Sequence, residues 1–178
     1  MENINELLST LPTEAKDLRI NAKKVLEGES LNPTQTWGVA LASAYYIRDE
    51  ALITALTADA KAADLSAEAL EDARAAASLM GMNTIYYRFR HLMRSENYNA
   101  RPANLRMMRM KQVATTETDF ELFSIGPAAL AGCEMCLRAH EAAVLKGGLT
   151  HDNVHDAVRI SSVLHGVSVA LATLVARD

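Results

Sequence analysis

The pattern of apolar and polar positions is helical along almost the whole chain. Alanine and leucine are abundant, whereas glycine and proline number only 8 and 4 of the 178 residues. No segment shows the sustained period-two alternation of β-branched residues that marks a half-buried strand. The sequence therefore predicts an all-α fold, built as one compact multi-helix domain over residues 1–178.

Cap residues and helix breakers divide this pattern into separate helices. Four polar side chains that can accept a backbone N–H predict helix starts: Asn32, Ser66, Thr118 and Thr150. The first of these helices begins with a proline and is predicted to run to Arg48, and the second to about Met80. Gly147-Gly148 predicts the end of the helix that carries the cysteines. The least regular stretch, residues 95–104, is predicted to be the main loop between two halves.

Two parts of the sequence resemble each other. Leu65-Ser66 followed by Asp72-Ala73 matches Leu149-Thr150 followed by Asp156-Ala157. The match suggests two similar helical halves, of which the first contains no cysteine.

Charge and hydropathy narrow the possible partners. A net charge of −4 gives no reason to expect a nucleic acid or an anionic membrane as partner. A basic stretch over residues 88–111 is interpreted as a solvated face or subunit contact, with an acidic partner as the alternative. The N-terminal residues lack the pattern of a secretory signal, and the longest apolar run, residues 167–176, is short for a membrane span. We therefore expect a cytoplasmic protein with no membrane partner.

Both cysteines lie in a C-x-x-C segment that is followed by a histidine. Cys133, Cys136 and His140 are spaced by three and four residues, so on a helix they share one face. Thiols three residues apart can form a disulfide, and a histidine four residues further on can take a thiol proton. Because such a pair is seldom structural in a reducing compartment, the sequence indicates redox reactivity or metal binding.

A reactive thiol needs groups that favour its thiolate, since an ordinary thiol is only about 3% ionised at pH 7. Gly132 is expected to break the preceding helix and to place both cysteines in the first turn of the next, where free N–H groups favour an anion. His140 can accept the thiol proton. Glu121 can orient that imidazole if Gly126-Pro127 and Gly132 interrupt the segment between them, so that the helix of Glu121 ends there and the chain turns back.

Less specific interpretations of these residues stay open on the sequence alone. Thr118-x-x-Glu121 matches a capping box, in which Glu121 only satisfies the helix start. The two cysteines can also be read as small buried apolar residues, and His140 as a surface histidine. The isolated histidines His91 and His165 are assigned no role.

A zinc site is a further alternative. Cys133, Cys136, His151 and His155 have the spacing of a Cys2His2 site. The cysteines, however, are predicted to lie on a helix, whereas a zinc finger carries them on a hairpin. The sequence therefore favours a site without metal.

Four groups of residues point to a known family. They are Asp119-Phe120-Glu121-Leu122-Phe123-Ser124, Gly132-Cys133-x-x-Cys136-Leu137-x-Ala139-His140-Glu141, Trp37-Gly38 with Leu41-Ala42-Ser43-Ala44, and Met80-Gly81-Met82-Asn83 with Tyr87-Arg88. In these segments the chain resembles the alkyl hydroperoxidase D family of the carboxymuconolactone decarboxylase-like superfamily. The similarity extends from about residue 37 to the C-terminus.

The resemblance implies an all-helical homotrimer that reduces organic hydroperoxides without a bound cofactor or metal. It also implies dihydrolipoamide, on a lipoylated dehydrogenase component, as electron donor, and the peroxiredoxin alkyl hydroperoxide reductase C as electron acceptor. Carried over by position, Cys133 and Cys136 form the redox pair, while Glu121 and His140 form a proton relay. Better-known members have histidine just before the second cysteine. Here that residue is Met135, which cannot relay a proton.

Two other functions compete with this one. The first is a non-catalytic redox sensor or adaptor, in which a Cys133–Cys136 disulfide switches partner binding. The second is a decarboxylase-type member of the same superfamily, which the intact C-x-x-C segment disfavours.

Overall fold

The computed structural model describes residues 1–175 and shows an all-α protein, as the sequence predicts. Within these residues there are helices and connecting segments but no strand. The α-helices are α1 (Glu2–Ser9), α2 (Lys16–Glu27), α3 (Pro33–Ile47), α4 (Glu50–Ala62), α5 (Ala67–Met93), α6 (Glu96–Asn99), α7 (Glu117–Leu130), α8 (Glu134–Lys146) and α9 (His151–Val175). Short 3₁₀ segments cover Thr13–Ala15 and Met108–Lys111.

Helix α3 lies at the centre of the fold and packs against α5, α7 and α9. Every residue from 35 to 44 is buried, so this helix has no solvent-facing side over that stretch. Small residues make the close packing possible. At Gly38 an added Cβ would overlap the ring of Phe123 on α7, and at Gly126 it would overlap the Ser43 hydroxyl on α3. The two helices therefore approach at backbone distance, which fixes the position of α7 and of the turn that follows it.

Several predicted helix ends are confirmed. Asn32 caps α3 in a capping box with Gln35, and the Ser66 hydroxyl accepts the N–H of Ala69 at the start of α5. Helix α9 begins directly after Thr150, and α8 ends at Lys146 with Gly147 as its C-cap. Helix α5 is longer than predicted and continues past Met80 to Met93, because Met80, Asn83 and Thr84 remain buried against neighbouring helices.

Two expectations about α7 are wrong. The capping side chain is that of Thr116, which accepts the N–H of Asp119, and not that of Thr118. The helix also passes through Gly126-Pro127 and ends at Leu130. Proline removes one backbone donor inside a helix. Helix α7 nevertheless continues, because it packs against α3, α5, α8 and α9.

The two predicted halves are visible as a repeated order of helices. Helices α3, α4 and α5 correspond to α7, α8 and α9, and equivalent residues lie 84 positions apart. The residues that precede corresponding helices are Asn32 and Thr116, Asp49 and Cys133, and Ser66 and Thr150. Left-handed backbone conformations recur in the same way, at Arg48 and Gly132 and at Asp64 and Gly148. The C-x-x-C segment therefore occupies a helix start that the first half also contains.

Matching aspartates hold the two halves together. Asp72 on α5 is fully buried and accepts hydrogen bonds from the Thr115 hydroxyl, the backbone N–H groups of Ala114 and Thr115, and Arg109. Asp156 on α9 is bonded in the same manner by the hydroxyl and N–H of Ser30. Burial alone would raise the pKa of each carboxyl group, but these hydrogen bonds outweigh it and hold both pKa values below their usual range.

Helix α9 is the most apolar long helix in the described part of the chain. By length and composition, residues 151–174 would suffice to cross a membrane, with a mean hydropathy of 1.5. The apolar run that begins at Val167 is therefore only one end of a longer apolar helix. The buried side chains of α9 include Ile160, Leu164 and Val167, and the helix packs against α2, α3 and α7. Its apolar composition therefore supplies part of the helical core.

Replacing the buried carboxylate in Asp72→Asn should lower the free energy of unfolding by about 2 kcal/mol at about pH 7. The NH₂ group of the asparagine side chain would then face N–H and O–H donors that now bond to a carboxylate oxygen. The folded pKa of Asp72 is lowered, so its stabilising effect is complete above the unfolded pKa of about 3.9 and is lost as pH falls through the folded value. Urea unfolding at about pH 7 and about pH 3 should therefore show the difference between variant and wild type shrinking in acid. Asp64→Asn, at an exposed left-handed position, is the control. Equal stability of Asp72→Asn and wild type at the higher pH would contradict the argument.

Candidate functional site

The C-x-x-C segment begins at a sharp turn between α7 and α8. Gly132 has a φ of +62°, a conformation that suits glycine, and the chain re-enters a helix at Glu134. Cys133 occupies the N-cap position, where its sulfur accepts the N–H of Cys136 at 3.4 Å. The prediction that both cysteines lie in the first turn of a new helix is therefore confirmed.

Cys133 and Cys136 form a disulfide. Their Cα atoms are 5.3 Å apart, within the usual range for such a bond. Cys133 is fully buried and Cys136 is 6% exposed, and both pack with Met80 and Ala128 in a small apolar cluster. The sulfurs are thus shielded from bulk water on most sides.

Helices α7 and α8 bring Glu121 and His140 together. A carboxylate oxygen of Glu121, Oε2, lies 2.5 Å from Nδ1 of His140, and His140 is only 4% exposed. The predicted juxtaposition is therefore present, although α7 turns back after Leu130 and not at Gly126-Pro127. The capping-box and surface-histidine interpretations are wrong, because Thr116 caps α7 and the imidazole is buried.

The contact with Glu121 gives the two ring nitrogens of His140 different hydrogen-bond roles. With Nδ1–H donated to the carboxylate, Nε2 is the nitrogen left to exchange a proton. Nε2 lies 3.2 Å from the Met80 sulfur of α5. The imidazole therefore lies between the Glu121 carboxylate and the Met80 sulfur of the small apolar cluster, one helical turn after Cys136.

A cavity of about 280 Å³ opens beside this arrangement. Its lining residues are Asn83, Tyr87, Met107, Met110, Met135, Cys136, Ala139 and His140. Cys136 lines the cavity, whereas Cys133 does not. The wall is mainly apolar, and three of its side chains are methionines. Such a cavity can receive a small apolar molecule directly beside one sulfur and the imidazole.

Helix α5 also supports the turn that carries the cysteines. The Arg88 guanidinium donates to the carbonyl of Ala131, and Nε2 of His91 lies 3.1 Å from Oε2 of Glu134. Sequence reasoning assigned no role to His91 and interpreted Arg88 as part of a solvated or subunit-contact stretch. Arg88 reaches the end of α7 and His91 the start of α8, so α5 contacts both sides of the C-x-x-C turn. Long-range contacts of this kind leave no local signal in the sequence.

The proposed zinc arrangement does not form in residues 1–175. Among these residues, no group of three or more histidine, cysteine, aspartate or glutamate side chains is arranged to hold a metal ion. His151 and His155 lie on α9 and do not join the cysteines in such a group.

Comparison with known proteins identifies the class to which this helical disulfide site belongs. The model of the carboxymuconolactone decarboxylase family matches residues 97–177, which include the whole α7–α8 unit. A protein named alkyl hydroperoxide reductase AhpD from Anaeromyxobacter sp. (strain Fw109-5) is 48% identical over 171 residues, covering 96% of this chain and 92% of the relative.

Two further relatives bear the same name. One from Anaeromyxobacter sp. (strain K) is 45% identical over 171 residues, which is 96% of this chain and 91% of the relative. One from Rhodospirillum centenum is 43% identical over 169 residues, which is 95% of this chain and 90% of the relative. The chain therefore belongs to the AhpD family of alkyl hydroperoxide reductases, and the resemblance found in the sequence is confirmed.

Replacing the carboxylate in Glu121→Gln should make the reduced thiol less reactive at neutral pH. Without the carboxylate, Nδ1–H of the imidazole would lose its acceptor, so Nε2 would be less well oriented to take the Cys136 proton. The rate of iodoacetamide alkylation at about pH 7 should fall roughly tenfold, and the pH profile of alkylation should move to higher pH. Glu117→Gln, an exposed change in the first turn of the same helix, should leave the profile unchanged. A purely structural role for Glu121 would instead lower the melting temperature with the profile intact.

Proposed function

We propose that the protein is a lipoyl-dependent alkyl hydroperoxidase that reduces organic hydroperoxides through Cys133 and Cys136. One observation carries the proposal: Cys136 and His140 line the same apolar cavity, while Glu121 holds the remote nitrogen of that imidazole. A thiol, a proton carrier and a space for an apolar substrate thus coincide. This is the set of parts that a two-electron thiol peroxidase requires.

The first step is attack by sulfur on the peroxide. With the disulfide reduced, His140 takes the Cys136 proton, and the thiolate attacks the terminal oxygen of R–O–O–H. The O–O bond breaks as the S–O bond forms, and the leaving RO⁻ takes a proton from the imidazolium. The products are Cys136 sulfenic acid and the alcohol ROH, so sulfur is oxidised by two electrons and the peroxide is reduced by two. Glu121 stabilises the imidazolium between these proton transfers.

The second step closes the disulfide. The Cys133 thiol displaces hydroxide from the sulfenic sulfur, and one water leaves as the Cys133–Cys136 bond forms. The two residues lie in one helical turn, so the chain needs only a local movement to bring the sulfurs together. The assignment of Cys136 as the attacking residue is supported by its place in the cavity wall and by the full burial of Cys133.

The cycle ends with reduction by a dithiol. A thiolate of dihydrolipoamide attacks the disulfide, gives a mixed disulfide, and is displaced by its own second thiol as both cysteines are regenerated. We propose a lipoylated dehydrogenase component as the source of this group and the peroxiredoxin alkyl hydroperoxide reductase C as the recipient of electrons. No resident cofactor or metal enters this scheme. A reducing compartment is needed to keep such a pair cycling, which supports a cytoplasmic location.

The same site also fits the alternative of a redox sensor. The near-complete burial of both cysteines limits access by a protein dithiol, and Met135, at the position where the family resemblance implies a histidine, cannot relay a proton. In that case the disulfide would form once and would be reduced slowly. Repeated turnover separates the two functions.

Anaerobic mixing with tert-butyl hydroperoxide and excess dihydrolipoamide should give many equivalents of tert-butanol per chain. Cys133→Ser and Cys136→Ser should each stop turnover, since neither can close the disulfide. Loss of peroxide is measured directly, and a single equivalent consumed by the wild type would favour the sensor.

The same two variants assign the attacking sulfur. After one equivalent of peroxide, dimedone should label Cys133→Ser at Cys136 and leave Cys136→Ser unlabelled. Labelling of Cys136→Ser alone would reverse the roles of the two cysteines.

We also propose that the chain assembles as a homotrimer. Four large apolar side chains are exposed on α5, where a helix face in contact with water usually carries polar residues: Ile85, Phe89, Leu92 and Met93. Ile85 and Leu92 are 64% and 67% exposed, and Tyr98 of α6 stacks edge-on against Phe89. A contiguous apolar face of this kind is typical of a subunit contact.

Light scattering should therefore give about three times the chain mass. Leu92→Glu should lower that mass by placing a charge in the contact, while Glu68→Gln, an exposed change in the first turn of the same helix, should not. A wild type of monomeric mass would exclude the assembly.

A further inference from the structure

The cavity wall contains a buried asparagine that takes no part in the proposed reaction. Asn83 lies on α5 and faces the cavity that Cys136 and His140 also line. It is 3% exposed, and its amide nitrogen lies 3.8 Å from the Met110 sulfur. Its carbonyl oxygen, Oδ1, is buried and has no hydrogen-bond donor among residues 1–175.

A buried carbonyl oxygen without a donor is unfavourable, because it has lost its hydration without a replacement. Most buried polar atoms in folded proteins are satisfied for that reason. The other lining residues are Met107, Met110, Met135 and Ala139 together with Tyr87, Cys136 and His140. A leucine at position 83 would match this mainly apolar wall without that penalty. The position of the amide therefore indicates that a ligand bound in the cavity supplies the hydrogen-bond donor to Oδ1.

We propose that Asn83 positions the substrate by accepting a hydrogen bond from the terminal O–H of an organic hydroperoxide. The inference rests on the proposed function and identifies how the cavity recognises its substrate. A hydroperoxide R–O–O–H carries one donor, and that donor is on the oxygen that Cys136 attacks. Cys136 and His140 do not serve as this acceptor, because the Cys136 sulfur is the nucleophile and His140 protonates the leaving oxygen.

The hydrogen bond to Asn83 orients the peroxide without exchanging a proton. The Cys136 thiolate takes the terminal OH, the O–O electron pair leaves with the alkoxide, and His140 supplies the proton that makes the alcohol. The group R lies against the methionine side chains of the wall, namely Met107, Met110 and Met135. The ligand class that follows is a hydroperoxide with a small apolar substituent.

The test uses Asn83→Leu, a variant of similar size without the amide. Pre-reduced protein is mixed anaerobically with tert-butyl hydroperoxide, and the rate of disulfide formation is followed. We expect kcat/KM for the hydroperoxide to fall about tenfold, the effect of one hydrogen bond. Alkylation by iodoacetamide, which has no peroxide O–H, should stay within about twofold of the wild type at every pH. The melting temperature should be equal or higher, because an unsatisfied oxygen has been removed.

Asn21→Leu, an exposed change on α2, is the matched control and should alter neither rate. Equal disulfide formation in Asn83→Leu and wild type would overturn the inference and leave the proposed function intact. Equal slowing of alkylation and peroxide reduction would also overturn it, since Asn83 would then act on the thiol. Failure of the wild type to react with the hydroperoxide would overturn both. If Asn83→Leu does not fold, Asn83→Ala, which leaves space, is put through the same measurements.

Discussion

The hydrogen bond between Glu121 and His140 joins the two helices on which the whole site depends. It can form only because α7 and α8 run back along each other from the turn at Gly132, and because α7 is held at backbone distance from α3. A carboxylate and a histidine on separate helices have no reason to meet unless the fold positions both. Burial of the imidazole then gives the contact its strength, since little water competes for either partner.

Helix α5 completes what α7 and α8 begin. Its residues from Met80 to His91 contact, in order along the helix, the imidazole, the cavity and the first turn of α8. A single long helix thus contacts both the imidazole and cavity and the helix start that carries the cysteines. This arrangement explains why α5 does not stop at Gly81, where the sequence offers a plausible end. The buried side chains beyond that glycine stabilise the continuing helix more than one flexible residue weakens it.

The sequence alone supports the all-α fold, the starts of α3 and α5 and the spacing of the redox pair, since each depends on neighbours a few residues apart. It does not decide between Thr116 and Thr118 as the cap of α7, because both precede an acidic residue by three positions and packing selects one. The contact of Glu121 with His140 was inferred from breaks at Gly126-Pro127 and Gly132, of which the structure has only the second. The cavity residues from α5 and the following loop were not identified, because distant segments assemble them.

The repeated helix order has a consequence for how far the redox motif can be moved. The position equivalent to Cys133 in the first half is Asp49, and those equivalent to Cys136 and His140 are Leu52 and Leu56, all part of a helix start without redox groups. The first half therefore contributes a scaffold and one wall. Grafting the C-x-x-C-x-x-x-H segment onto another helix would carry the sulfurs and the imidazole, but neither the carboxylate nor the cavity. The site is formed by the paired halves, and the eight-residue motif is only the part of it that is continuous in sequence.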